Sequence, residues 1–326
     1  MEKLLDLYAD YLSVTCGYAV AAGLSGMLHG EISHDRIARF LANGEYTSRA
    51  LWQQVKSVVR EVASDEGVLV FDDTIQEEPW MGENDLICWY FDHCTGRNVK
   101  GINLLNCLYH VCGISIPVAF ELIRKSVCFC GIETRQEKPQ GEVTKNELMR
   151  SMIDTCVRNQ IKFRWILFDS WLSSIDNMKE INVTHEKDFI GALKSNRLVA
   201  FIREDQKRKR FTRADQIGWP EQEAVTGWLK GLDFPVRQVF ISKDGSTGIQ
   251  YLACSQLTAD WNTITIICQK RWNVEVFHKS LKSSAALAKL PARRINAQAN
   301  HIFASIIAVF KILAVLTKTP RMKEKK

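Results

Sequence analysis

Between Ser33 and Val59 the apolar residues recur at helical spacing. Ile37, Ala38, Phe40 and Leu41 form one stripe that ends at Asn43-Gly44, and Leu51, Trp52, Val55 and Val59 form a second. Ser33 and Ser48 stand where N-caps are expected, so the pattern predicts two short helices joined by a tight turn. From Gly67 the period changes. Val68-Leu69-Val70-Phe71 is a short apolar run leading into Asp72-Asp73-Thr74, which predicts a buried strand that delivers carboxylates at its end. Leu86 to Phe91, Ile102 to Val111 and Ile114 to Leu122 read as further strands of a meander, with Gly96 and Gly113 at the turns. Lys145 to Asn159 predicts a helix with Leu148, Met149, Met152, Ile153 and Cys156 on its apolar face and Thr144 as its cap. Phe163 to Asp169 is another apolar strand ending in an aspartate, and Phe189 to Leu193 a further strand.

Residues 195–261 differ from what precedes them. They hold the basic run Lys207-Arg208-Lys209-Arg210, then Trp219 and Trp228, then alternating stretches from Val236 to Ser242 and from Ile249 to Cys254. This predicts a β-rich insertion. Antiparallel strands, then a helix, then a strand, with acids at strand ends, is by analogy the order of an RNase H-like α/β core. The expected fold is therefore α/β in four regions: helical 1–64, a first core part 65–194, the insertion 195–261, and C-terminal core helices 262–326. With Arg36, Arg39 and Arg49 at hand, the first region reads equally as a DNA-binding helical module or as a small bundle without a ligand.

Composition narrows the class only modestly. The chain has 326 residues, 46% hydrophobic and 25% charged, which fits an ordinary globular protein. A formal charge of +6 permits a nucleic-acid partner without establishing one. The start lacks the basic-then-apolar layout of a signal peptide. No uncharged run reaches the ~18 residues of a membrane span, and Ile302 to Leu316, which carries Lys311, reads as a buried helix. The ten cysteines, Cys128-Phe129-Cys130 among them, show no C-x2-C pair and predict reduced thiols in a cytoplasmic protein without membrane attachment. The Lys-rich end from Arg321 to Lys326 predicts a disordered tail.

The segment Lys270 to Lys282 carries the candidate chemistry. At about 100° per residue, Arg271, Glu275 and Lys282 project onto one helical face and Phe277 and Leu281 onto the opposite one. A carboxylate between two cations suits a site that holds a divalent ion and a phosphodiester together. Asp73 and Asp169, each after an apolar strand, supply the other acids that two-metal phosphoryl transfer requires. Spacing does not choose between Asp72 and Asp73. His278 shares the face of Arg271 and Lys282, either touching DNA or a metal-bound water, or orienting a neighbour through a hydrogen bond.

These segments resemble the DDE transposases of bacterial insertion sequences whose third catalytic segment reads Y-x2-R-x3-E-x6-K. Arg271, Glu275 and Lys282 fall at the signature intervals, Cys268 stands where the tyrosine is expected, and Asp72-Asp73-Thr74 and Phe168-Asp169-Ser170-Trp171 match the first two segments. Lys194-Ser195-Asn196-Arg197 and the stretch from Arg293 to His301 also look like the family. The resemblance implies that Asp73, Asp169 and Glu275 are catalytic and coordinate two Mg²⁺ or Mn²⁺ ions. It selects Asp73 because the family's acid precedes the threonine. It further implies that Arg271 and Lys282 hold phosphates of the transposon end, and it makes Trp219 and Trp228 candidates to stack a flipped base, with core packing as their alternative role. The run Lys207, Arg208, Lys209 and Arg210 reads equally as a solvated loop or as phosphate contacts beside a DNA channel. The implied activity is binding of terminal inverted repeats, metal-dependent cleavage and strand transfer into target DNA, by a homodimer in the synaptic complex, near the bacterial nucleoid. Two alternatives stay open: an inactive or truncated transposase-derived DNA-binding protein, for which Cys268 speaks, and an RNase H-like nuclease that cuts without joining.

Overall fold

The computed structural model describes residues 2–92, 95–130, 137–242, 249–289, 292 and 294–318; the Lys-rich end lies outside them. Four helices open the chain: α1 (Glu2–Val14), α2 (Ala21–Met27), α3 (His34–Asn43) and α4 (Ser48–Glu61). Ser33 Oγ accepts from Arg36 N at 3.4 Å, as an N-cap should. Ser48 behaves differently from its predicted capping role. It is the first residue of α4, and its Oγ donates to Phe120 O at 2.7 Å and accepts from Phe120 N at 2.8 Å, standing in for a missing strand partner.

The strands follow: β1 (Val68–Glu77), β2 (Cys88–Asp92), β3 (Arg97–Val111), β4 (Ile114–Ile123) and the hairpin β5 (Val127–Cys130) with β6 (Glu137–Gln140). Then come α5 (Lys145–Arg158), β7 (Trp165–Phe168), α6 (Ile175–Lys179), a π-helical turn at Glu180–Thr184, and β8 (Asp188–Leu193). The region read as an insertion holds β9 (Leu198–Ala200), α7 (Arg203–Lys207), β10 (Thr212–Arg213), β11 (Val225–Leu229), β12 (Val236–Ser242) and β13 (Ile249–Cys254). Helices α8 (Trp261–Gln269), α9 (Trp272–Ser284) and α10 (Ile295–Lys318) close the chain. The fold is mixed α/β, with mostly antiparallel strand pairs.

Two compact units are present, and neither is continuous in sequence. The first comprises Met1–Val62, Asp73–Thr144 and Val274–Lys326; the second comprises Ala63–Asp72 and Lys145–Asn273. In the first, β3 lies beside the far half of β1 and pairs antiparallel with both β2 and β4. Helix α10 packs against α1, α3, α4 and β4. Ile302, Phe303, Ala304, Ile306, Ile307 and Ala308 are buried there, and Phe303 stacks on Tyr46 with ring centroids 4.6 Å apart. From Ile295 to Ala314, α10 is long and apolar enough to cross a membrane by composition, but 72% of that window is consumed by the core of this unit. Lys311, its one cation there, meets Asp6 at 2.6 Å and Asp10 at 2.5 Å.

In the second unit the near half of β1 pairs parallel with β7, and β7 pairs parallel with β8. Val68 to Phe71 and Trp165 to Phe168 are all buried, which is why both runs read as continuously apolar. Strand β13 pairs antiparallel with β8, and β12 and β11 follow in the same manner, so the strands after residue 195 extend this unit's sheet. Gly191 on β8 is a forced choice. A Cβ there would lie 2.1 Å from Cε2 of Phe168.

Candidate active site

In the first unit, Asp73 leaves β1 with its Oδ2 accepting a hydrogen bond of 2.8 Å from Asn103 Nδ2 on β3. Asn103 and Asn106 are buried in an otherwise apolar strand, which was the available sequence signal that they do more than fill space. Asn106 Nδ2 faces Nε2 of His278 on α9 at 3.0 Å, which makes Nε2 the acceptor of a neutral imidazole. Burial, and then the Lys282 ammonium, push the His278 pKa down to about 4 against the opposing pull of Asp73. His278 is therefore uncharged and buried, with Asn106 as its partner on β3. Lys282 Nζ donates to Ile75 O at 3.0 Å. Glu275 sits in the first turn of α9, where the helix dipole favours a carboxylate. Glu78, just beyond β1, has its pKa pushed up to about 7 by burial and was not anticipated from sequence.

Asp73 offers a carboxylate steadied by the Asn103 amide, an oxygen donor of the kind a hard divalent cation takes, and the Oδ1 atoms of Asn103 and Asn106 on β3 are buried without a hydrogen-bond partner.

In the second unit, Arg271 occupies the turn between α8 and α9, not the helix itself, which corrects the helical projection used to align it with Glu275 and Lys282. Its Nη1 donates to Asp72 Oδ2 at 3.0 Å, with both side chains largely buried. The two adjacent aspartates thus have different jobs: Asp72 meets the arginine and Asp73 meets Asn103. Asp169, directly after β7, accepts from Trp171 N at 3.1 Å and Leu172 N at 3.0 Å through Oδ1. Asp169 and Arg271 line one cavity of about 260 Å³ together with Ser170, Leu193 and Gln250. Lys194 Nζ lies 3.4 Å from the centroid of the half-exposed Trp171 ring. Burial pushes the Cys268 thiol up, with Arg271 acting against it.

The remaining expected residues lie elsewhere in this unit. Trp219 donates from Nε1 to Ala214 O at 2.8 Å and packs edge-on against Phe201, so it is a half-buried packing residue here. Trp228 lies on β11 opposite Ala200 and is also half-buried. Lys207, Arg208, Lys209 and Arg210 are all exposed at and after the end of α7. A separate cluster of Asp154, Glu180 and His185, whose ligand atoms lie within 4.8 Å of one another, contains none of the expected residues.

The family model described as DDE superfamily endonuclease matches residues 16–220, and the one described as Transposase DDE domain matches residues 132–311. The chain belongs to the DDE superfamily. Both matched models are described in terms of transposases or endonucleases. No curated protein matches this DDE protein by sequence. Among solved structures, it is similar to the Drosophila P element transposase strand transfer complex at 10% identity and a TM-score of 0.31, over 55% of this chain and 34% of that one. It is also similar to the NurA nuclease from Sulfolobus solfataricus at 9% identity and a TM-score of 0.27, over 83% of this chain and 91% of that one. The chain thus spans about a third of the P element transposase.

Proposed function

We propose that this DDE protein is the transposase of a bacterial insertion sequence of the Y-R-E-K type. In this reading it binds the terminal inverted repeats, cleaves at the ends and joins the freed 3′-hydroxyl to target DNA, as a homodimer with one active site per end. The observation that carries the proposal is the pair of family matches, which together run from residue 16 to residue 311 and enclose Asp73, Asp169 and Glu275. An RNase H-like core is supported by the parallel pairing of β1 with β7 and of β7 with β8, together with the antiparallel β3–β4 hairpin.

Asp73, Asp169 and Glu275 would hold two Mg²⁺ or Mn²⁺ ions. When bound, such ions activate the attacking oxygen and stabilise the leaving one. The protein's own part is positioning. Asn103 fixes the Asp73 carboxylate, neutral His278 and Asn106 brace α9 against β3, and Lys282 reaches the phosphate backbone by leaving Ile75 O. Arg271 is held by Asp72 in the absence of DNA, and a bidentate phosphate contact would compete for the same guanidinium. The exposed Arg36, Arg39 and Arg49, on α3 and α4, would contact the repeat, and the Lys207–Arg210 run the flanking backbone. Trp219 and Trp228 would stack bases only after leaving their present packing.

The test is incubation of purified protein with labelled DNA carrying the element's own end, with Mg²⁺ or Mn²⁺. Wild type should cut, whereas Asp73→Ala, Asp169→Ala and Glu275→Ala should not, with end binding kept within a few-fold. Cleavage that survives any of these changes sinks the assignment. One observation favours a second reading: Cys268 stands where the signature has a tyrosine, so the phosphate contact of a tyrosine hydroxyl is missing. Precut ends separate the possibilities, since joined product excludes both a pure nuclease and an inactive copy.

A further inference from the structure

We infer that Asp154, Glu180 and His185 form a second divalent-cation site, of the zinc class, within the second unit and apart from the three acids of the DDE reading. His185 Nε2 lies 3.0 Å from Asp154 Oδ1 and 3.6 Å from Glu180 Oε1. The His185 side chain is only 10% exposed, and Nε2 itself is buried without a hydrogen-bond partner. It lies within 3.6 Å of two carboxylate oxygens and makes a hydrogen bond to neither. That is costly for an imidazole donor and natural for an imidazole ligand.

The spacing suits a small ion. With bonds of about 2.0–2.1 Å and tetrahedral angles, neighbouring zinc ligands stand about 3.3 Å apart, and the two separations here bracket that value. A nitrogen with two carboxylate oxygens favours a transition-metal dication over Mg²⁺. Glu180 is prepared for the role, because its other oxygen, Oε2, accepts from Thr184 Oγ1 at 3.4 Å, leaving Oε1 toward His185. Asp154 is half-exposed and leaves the fourth position to water.

The backbone is shaped for this arrangement. Five residues of ordinary α-helix would turn Glu180 and His185 about 140° apart. The helix instead widens at Glu180–Thr184 into a π turn, closed by His185 N donating to Glu180 O at 3.0 Å, which brings the two side chains to one side. Asp154 enters from α5. An ion here would staple α5 to the segment that leads into β8.

The test uses the full chain carrying Asp73→Ala, Asp169→Ala and Glu275→Ala, so that binding at the DDE acids does not contribute. Zn²⁺ binding is measured by competition with a chromophoric chelator, and Co²⁺ substitution by its visible absorption, in which ligation by cysteine would appear as sulfur-to-metal charge transfer. The expected result is one equivalent bound through nitrogen and oxygen ligands, weakened tenfold or more by His185→Gln and by Asp154→Asn. Asp154 is exposed enough that its variant keeps the fold should His185→Gln lose it. Equal affinity in the Asp154→Asn variant, or a charge-transfer band showing thiolate ligands, overturns the proposal. DNA cleavage plays no part in the readout, so failure here leaves the transposase reading untouched.

Discussion

His301 sits on α10 almost wholly buried, with Nδ1 2.9 Å from the Tyr8 hydroxyl and Nε2 2.9 Å from Ala286 O. The carbonyl can only accept, so Nε2 carries the proton and Nδ1 accepts from Tyr8: both ring nitrogens are satisfied by the neutral form. Burial pushes its pKa down to about 4 from the usual 6.5, against smaller upward pulls from the Ala286 and Leu287 backbone. The sign follows. As pH falls below 6.5 the unfolded chain takes up the proton first, so the stability contributed by neutral His301 is complete above 6.5 and is lost progressively toward 4. At pH 5 the linkage relation gives a loss of about 2 kcal/mol, rising toward about 3 kcal/mol once both states are protonated. The assay is urea unfolding followed by tryptophan fluorescence at pH 7 and pH 5, comparing wild type with His301→Gln, which cannot titrate. The wild type should lose about 2 kcal/mol more than the variant over that interval. Parallel losses would refute the account, showing that His301 titrates alike in the folded and unfolded chains.

Two further stability predictions rest on single contacts. Gly191→Ala drives a methyl into the Phe168 ring between β8 and β7 and should destabilise by about 1–3 kcal/mol, read as a lowered thermal midpoint; an unchanged midpoint would mean the ring moves freely. Ser48→Ala strips both backbone partners from Phe120 and should lower unfolding free energy by about 2 kcal/mol. Ser33→Ala, an exposed cap, should lower it by about 1 kcal/mol or less, and equal effects would contradict the distinction.

The runs with one unmistakable period were legible. Val68–Phe71, Trp165–Phe168 and the Met149, Met152, Ile153 and Cys156 face of α5 are buried where the pattern put them. The polar half of β1 was not legible, because Asp72 to Glu77 carries carboxylates, Thr74 and Gln76 for reasons of position, not burial period. Arg271 misled because the helical projection assumed one continuous helix, whereas the chain turns at Lys270 and Arg271 before α9 begins. Ser48 misled as a cap because it lies one residue inside α4, where its hydroxyl pairs with Phe120, more than seventy residues away. The Asp154, Glu180 and His185 cluster lay beyond reading by period, since the α-helical angle separates two residues that a π turn unites.

Neighbouring residues on a strand face opposite ways, so the paired aspartates of β1 are two different parts that happen to share a letter. Asp72 is tied to Arg271 and Asp73 to Asn103. Such a pair gives no insurance against mutation. Losing either leaves an acid next door that looks like a spare and points the wrong way, while deleting one residue anywhere in Val68–Phe71 would draw Asp73 into the arginine's grip and leave Thr74 facing Asn103. This stretch of the gene should therefore tolerate conservative changes of its apolar letters far better than any change in their number.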